Sequence, residues 1–248
     1  MLYDRAQARC LRLAAGLSVG EAAEFADIAE RAVWRFETQR DPLPFYIDKL
    51  TQLLTTQDTV VDVLVAGASA GAIRTYFRDD DTFTATEGRL PFASTHQVCA
   101  GRAAELIPGA VVVARREGDV DAAIPARAAR IGLVGKTMAR AMRISQNSAR
   151  RWLGGLATMP AEVLQEFTDL ETIAQAHRRD LTAAGGESVL VVSATQEDLE
   201  ARWPALAPSD TMLGLDLAVH HTIAGQVAHA AGQSLAYAPN NVSSTPSS

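Results

Sequence analysis

The chain carries an internal repeat, because residues 116 positions apart match at apolar and turn positions in separate segments. The matched residues of the first segment are Leu17, Ile28, Val33, Phe36, Leu43 and Pro44, which align with Leu133, Ile144, Ala149, Trp152, Met159 and Pro160. The same offset aligns 73–77 with 189–193. Such agreement predicts a tandem duplication, so each half should fold as one copy of the same unit.

The repeat resumes near the end of each half at an offset of 124, where 96–101 align with 220–225 and 111–114 with 235–238. We therefore expect an insertion of eight residues between Ser193 and His220. Apolar residues recur at helical spacing early in each copy, and short strand-like runs flank one further helix later. The predicted fold class is α+β, mainly α, with two tandem repeats of a helix-turn-helix four-helix head followed by a small strand-helix-strand tail.

The repeat also predicts the domain layout. The first head covers 1–66, the first tail 67–114, a polar linker 115–125, the second head 126–184 and the second tail 185–238. Residues 239–248 are rich in Asn, Ser, Thr and Pro and are predicted to be disordered.

The stretch 144–155 reads as the turn and second helix of the second helix-turn-helix. At about 100° per residue, Gln146, Asn147, Arg150 and Arg151 fall on one face, and Ser148, Ala149 and Trp152 fall on the opposite face. Arg pairs with guanine, and Asn or Gln with adenine, through forked hydrogen bonds in the major groove. These four residues are predicted to contact DNA, together with Ser145 and Lys136.

In the first head the same helix is predicted to bury Ala32, Val33 and Phe36. Its outward residues would be Glu30, Arg31, Trp34 and Arg35, and Arg40 follows near the helix end. We expect Arg31, Trp34, Arg35 and Arg40 to be DNA contacts of this head. Glu30 would repel phosphates, so this face is equally open to a protein contact.

Charge is distributed unevenly between the two heads. The net charge is −6, yet 122–161 contain no Asp or Glu. The seven cations there are Arg127, Arg130, Lys136, Arg140, Arg143, Arg150 and Arg151. The matching part of the first head is close to neutral. Because phosphate neutralisation supplies much of the affinity for DNA, the second head is expected to bind DNA better.

Other chemistry is weakly indicated. Cys10 and Cys99 are too few for a disulfide framework, and no apolar run is long enough to cross a membrane, so we expect a cytoplasmic protein with reduced thiols. The residues 79–81 are interpreted as a solvated acidic turn. Histidines 96, 220 and 221 are interpreted as polar positions at a tail-tail interface, and His177 as part of a charge cluster at a helix C-terminus. No nucleophile-base pair or metal-ligand spacing is evident, so neither catalysis nor a cofactor is expected.

The first head resembles the helix-turn-helix of lambda-repressor and Cro-like regulators at Ala23, Ile28, Ala29, Val33, Phe36 and Glu37. The second head fits the same pattern at Ala139, Ile144, Ser145, Ala149, Trp152 and Gly155. Asp27 and Arg143 occupy a turn position where that family prefers Gly, and Gln39 replaces its closing Gly.

Each copy is also similar, over its whole length, to the small repressors associated with anti-CRISPR operons and their YdiL-like relatives. The segments that carry this resemblance are 19–24, 33–37 and 74–77. The resemblance implies a phage or mobile-element repressor that dimerises through its tail and binds an inverted repeat. With two units in one chain, the tails would pair as an intrachain pseudo-dimer.

The resulting hypothesis is a sequence-specific transcriptional regulator of double-stranded DNA, acting as a repressor, with further self-association through the tails left open. Two alternatives remain. The chain could be a protein-interaction module, antitoxin-like or anti-repressor, that uses Trp34 and Glu30, or a binder of structured RNA.

Overall fold

A computed structural model describes residues 4–68, 72–77, 83, 90–114, 120–184, 188–208 and 214–238. In the first half the elements are α1 (Arg5–Ala14), α2 (Val19–Ala26), α3 (Glu30–Thr38), α4 (Pro44–Gly67), β1 (Ala72–Thr75), α5 (Ala93–Leu106), β2 (Val111–Ala114) and β3 (Val120–Asp121). In the second half they are α6 (Ala123–Arg130), α7 (Lys136–Ala141), α8 (Gln146–Leu153), α9 (Ala161–Ala184), β4 (Val189–Val192), α10 (Gln196–Arg202), a 3-10 turn (Pro204–Leu206), α11 (Leu217–Ala231) and β5 (Ser234–Tyr237). The chain is mainly helical with a few short strands, which confirms the α+β class.

The helix ends of the first head follow from local side-chain chemistry. Ser18 forms a capping box, since its Oγ accepts from the backbone N–H of Glu21 at 3.2 Å and the Glu21 carboxylate accepts from Ser18 N at 2.7 Å. Pro44 occupies the first turn of α4, as suits a residue without a backbone N–H. The α4 helix continues through the apolar 59–65 segment to Gly67.

The start of the second half differs from the predicted linker 115–125. Residues 115–119 lie outside the described residues, but 120–121 form β3 and α6 already begins at Ala123. β3 pairs antiparallel with β2, and the Asp121 carboxylate accepts from the Ala123 backbone N–H at 2.8 Å. The predicted linker is therefore partly structured: 120–121 are part of the first sheet, and 123–125 are part of the first helix of the second head.

Two small sheets follow the two long helices. β1 pairs with β2 in parallel, and β4 pairs with β5 in parallel. The buried partners are Ile73 with Val112 in one sheet and Leu190 with Leu235 in the other. The offset of 116 aligns Ile73 of β1 with Val189 of β4, which is exposed, whereas the buried residue at the second position of β4 is Leu190. By burial the two strands therefore match one residue away from that offset, which a run of similar apolar residues does not reveal.

The segment between Ser193 and His220, in which the eight-residue insertion is expected, contains α10 and the 3-10 turn. Thr195 caps α10 by accepting from Asp198 N at 3.1 Å. The predicted acidic turn at 79–81 and the segment 239–248, predicted to be disordered, lie outside the described residues.

The two halves cross reciprocally in one hydrophobic core. The first helix of the first half, α1, packs on the last helix of the second half, α11, while α6 of the second half packs on α5 of the first. The largest single contact of each tail helix is thus with the first helix of the other half, whereas the sequence suggested that the tails pair with each other. The sequence reasoning missed this because amphipathic patterns show that a face is buried but do not name the partner.

One glycine permits each crossing. A Cβ added at Gly101 would lie 2.2 Å from the Ala126 carbonyl oxygen of α6, and one at Gly225 would lie 2.3 Å from the Cys10 carbonyl oxygen of α1. Both obstacles are backbone atoms, which cannot rotate away. The helices can approach this closely only because these two positions lack a side chain.

We predict that Gly101→Ala and Gly225→Ala each lower the free energy of unfolding by about 1–3 kcal/mol, the usual cost of forcing an extra methyl group into a packed interior. Urea denaturation monitored by circular dichroism measures the change. Gly67→Ala is the matched control, since a Cβ there meets nothing within 4 Å, and it should be neutral or slightly stabilising. Equal stability of all three variants would contradict the close crossings.

Candidate nucleic-acid interface

The second head forms a helix-turn-helix from α7, a short turn and α8. Met138 and Ala139 of α7 are buried, and the turn passes through Arg143 at a φ of 54°. Ser145 then caps α8, since its Oγ accepts from the Ser148 backbone N–H at 3.0 Å. Asp27 adopts a φ of 56° at the matching turn of the first head. Both residues occupy the left-handed region that favours glycine, so the departure from glycine leaves this turn conformation in place.

Of the face of α8 that was predicted to be buried, Ala149 is buried, while Ser148 and Trp152 are half-buried. Gln146, Asn147, Arg150 and Arg151 are exposed, whereas Ala149 is buried. Lys136 and Ser145 are also exposed at the helix starts, although the Ser145 hydroxyl is already engaged as the cap. The exposed face therefore presents two guanidinium groups and two amide groups to solvent. These are the side chains that can donate to and accept from base edges.

The predicted basic segment carries less unbalanced charge than its sequence indicated. Arg127 pairs with Glu171, and Arg140 binds Asp216 at 2.6 Å. Arg130 is buried, with one guanidinium nitrogen 2.7 Å from Glu105 and the other 3.0 Å from Glu171. These carboxylates come from elements outside 122–161, so no local count of charges could reveal them. Within the described residues, Lys136, Arg143, Arg150 and Arg151 have no carboxylate partner.

In the first head the four side chains predicted to contact DNA differ in their exposure to solvent. Arg31 and Arg40 are exposed, Arg35 is half-buried, and Trp34 is 49% exposed. Arg40 follows the end of α3, with its guanidinium carbon 4.9 Å from the centre of the Phe36 ring. The capping position of α3 is Ala29, which has no side-chain acceptor for the helix N–H groups. This face thus combines cations, an exposed indole and the exposed Glu30.

A buried ion pair in the first head escaped the sequence reasoning. Arg12 Nε of α1 lies 2.5 Å from Glu37 Oε1 of α3, and Arg12 Nη1 donates to the Leu17 carbonyl at 2.6 Å. Arg is rarely buried without a partner, so the sequence alone gives no reason to place Arg12 in the interior. Its partner is 25 residues away, and spacing along one helix could not indicate it.

His220 of α11 and His177 of α9 are linked by a buried hydrogen bond, and His220 and His221 both bond the backbone of Ser193. The Ser193 backbone N–H donates to His220 Nε2 at 3.2 Å, so the neutral His220 ring carries its proton on Nδ1 and donates to His177 Nε2 at 2.7 Å. His221 Nε2 bonds the Ser193 carbonyl at 2.8 Å. The interpretation of His177 as a terminal charge cluster was wrong, because it is fully buried and contacts Trp203. The bonds of His220 and His221 lie within the second half rather than across a tail-tail interface.

Burial governs the ionisation of these groups. It lowers the pKa of His177 to about 4 and that of His221 to about 3, and it lowers the pKa of His220 well below the usual value, with the neighbouring His221 and His177 adding to the effect. Burial likewise raises the pKa of both thiols, that of Cys99 to about 12. Both cysteines are unbridged, and the described part of the chain holds no group of three or more His, Cys, Asp or Glu placed to bind a metal.

Comparisons with protein-family models, with curated proteins and with solved structures found no match. Among the described residues, no helix combines the length and the apolar character required to cross a bilayer.

The buried histidines predict a loss of stability in mild acid. An unfolded histidine takes up a proton below about pH 6.5, whereas the folded His177 does so only near pH 4. The free energy of unfolding should therefore be highest above pH 6.5 and should fall by about 1.4 kcal/mol per pH unit for each buried histidine as the pH drops. Urea denaturation between pH 7.5 and 5 measures the slope. The His177→Asn variant should show a smaller slope, because one buried histidine no longer contributes to it. An unchanged slope would contradict the low pKa of His177.

Proposed function

We propose that the chain is a sequence-specific DNA-binding transcriptional regulator that acts as a repressor, with α8 as its principal reading helix. The observation that carries this proposal is the division of α8 into a buried Ala149 face and an exposed face of Gln146, Asn147, Arg150 and Arg151. A helix held only by its inner face can enter a major groove, which admits one α-helix. Repression would be steric, since a bound head occludes a promoter.

The exposed side chains divide into two roles. Arg150 and Asn147, one turn apart on the outward face, suit guanine and adenine edges respectively. Lys136 and Arg143 lie at the start of α7 and in the turn, and they suit backbone phosphates, which fix the register of a protein on the duplex without reading sequence.

We further propose that the two halves descend from one unit and form an intrachain pseudo-dimer. The similar φ values of Asp27 and Arg143 support it, as do the φ values of 77° and 78° at Gly16 and Gly132. The reciprocal crossings support it too, because Gly101 and Gly225 are aligned residues, and so are the Cys10 and Ala126 that they meet. Two heads in the usual dimer geometry would address half-sites about 34 Å apart.

We predict that Asn147→Ala or Arg150→Ala weakens binding to the preferred sequence by about 1–3 kcal/mol and relaxes specificity at one base position. Random-oligonucleotide selection first identifies that sequence, and fluorescence anisotropy then measures affinity for it and for random DNA. Arg179→Ala is the matched control, because it removes an exposed Arg of α9, outside the helix-turn-helix formed by α7 and α8. Equal losses on specific and random DNA would show that these residues only contact phosphate.

The two heads should contribute unequally. The second has four cations without a carboxylate partner in the described part of the chain and a capped reading helix, whereas the first has Glu30 beside Arg31 and no side-chain cap on α3. We predict a non-palindromic operator in which one half-site dominates, and substitutions in α8 should erase the stronger footprint. Hydroxyl-radical footprinting tests this. Two equivalent, symmetric half-sites per chain would contradict it.

A protein-interaction role is the second candidate, favoured by the exposed Trp34, Leu43 and Phe45 of the first head. Salt separates the two functions. The affinity of a DNA binder falls steeply with ionic strength as phosphate contacts are lost, whereas a contact centred on Trp34 would depend on salt only weakly. Competition with hairpin RNA in the same assay tests the remaining nucleic-acid alternative.

A further inference from the structure

A surface pocket of about 400 Å³ lies where three parts of the molecule meet. Its wall includes Arg9 of α1, Arg140 and Arg143 from the second helix-turn-helix, and the segment around Asp216 that leads into α11. This volume is within the usual range of small-molecule sites. The pocket is therefore large enough for a ligand and touches both heads and the second tail.

The pocket carries more positive than negative charge. The Arg140 guanidinium is neutralised by Asp216, which binds it at 2.6 and 2.8 Å and also caps α11 by accepting from Ala218 N. Arg9 and Arg143 have no carboxylate partner among the described residues. Two guanidinium groups on one concave surface, with their counter-charge missing, favour an anion.

The remaining wall is largely apolar, with Leu215, Leu217, Ala141 and Pro208. Leu215 and Leu217 are held in place by Gln196, whose side-chain amide donates to the Leu215 carbonyl at 3.0 Å and accepts from the Leu217 backbone N–H at 2.8 Å. A fixed apolar wall beside two cations suits a ligand with an anionic head and a carbon body better than a bare inorganic ion.

The other half lacks this chemistry. At the repeat offset of 116, Arg140 and Arg143 correspond to Glu24 and Asp27. The sign of the charge is thus reversed at both positions, while the turn conformation at 27 and 143 is the same. The positive charge at these two positions is therefore specific to the second half and is not required by the turn conformation that both halves share.

We propose that this pocket binds a small organic anion, with its carboxylate or phosphate group between Arg9 and Arg143 and its carbon body against Leu217 and Pro208. Arg143 belongs to the turn that precedes α8, and Arg9 belongs to the first head. A bound anion therefore fixes the second reading helix relative to the first head. The consequence that the anion alters DNA affinity rests on the function proposed above.

Isothermal titration calorimetry and thermal melting of the full chain without DNA test the binding. The probes are citrate, adenosine monophosphate and inorganic phosphate, each at an ionic strength held constant with NaCl. We expect citrate or the nucleotide to bind at one site per chain and to raise the Tm, and inorganic phosphate to bind more weakly. No response beyond that of NaCl, or tighter binding of inorganic phosphate, would overturn the proposal.

The matched variants are Arg143→Gly and Asp27→Gly. Both replace a residue at a positive φ by the one that adopts it without strain, so both should fold, but only the first removes a pocket guanidinium. Arg143→Gly and Arg9→Met should each weaken anion binding by about tenfold or more, while Asp27→Gly should bind as the original chain does. Unchanged binding by Arg143→Gly would refute the site.

DNA affinity measured with and without the bound anion forms a separate arm. If calorimetry detects the anion but no DNA sequence is preferred, the proposed function fails and the pocket stands. If DNA binds specifically and no probe binds, the pocket fails and the proposed function stands.

Discussion

The structure depends on two close helix crossings that join the halves of the chain. At each, a glycine of a tail helix lies against backbone of the other half's first helix, Gly225 on Cys10 and Gly101 on Ala126. Neither half buries its first helix within its own sequence alone. Tertiary packing of apolar faces, rather than helix propensity, supplies most helical stability, so the heads hold their orientation only while both crossings are intact.

Buried charges reinforce this arrangement with specific partners. Arg130 at the end of α6 reaches Glu105 in the first tail and Glu171 in the second head, so one guanidinium joins three helices from both halves. Removing one partner of a buried pair is costly, because the other charge remains out of water. The buried cluster of Arg130, Glu105 and Glu171 therefore favours this arrangement of the three helices over any arrangement that separates the charges. It also removes charge from the surface that would otherwise be available to a nucleic acid.

Much of the fold could be predicted from the sequence because its signals are local. The capping box at Ser18, the proline at the start of α4 and the apolar face around Ala149 each depend on residues within one or two turns, and each is present. The strand register, the partner of Arg12 and the burial of His177 could not be predicted, because each depends on a residue distant in sequence. The exposure of Asn147 and Arg150 was predicted from helical periodicity, whereas the neutralisation of Arg127 and Arg140 required the three-dimensional structure.

The crossings have a consequence for how the molecule behaves at low abundance. A regulator whose reading helices sit on separate subunits comes apart by mass action when it is scarce, and it must reassemble before it can act. Here α1 and α11 are tethered by the chain itself, so their effective concentration is set by the covalent connection and not by the number of molecules in the cell. Dilution therefore cannot separate α1 from α11.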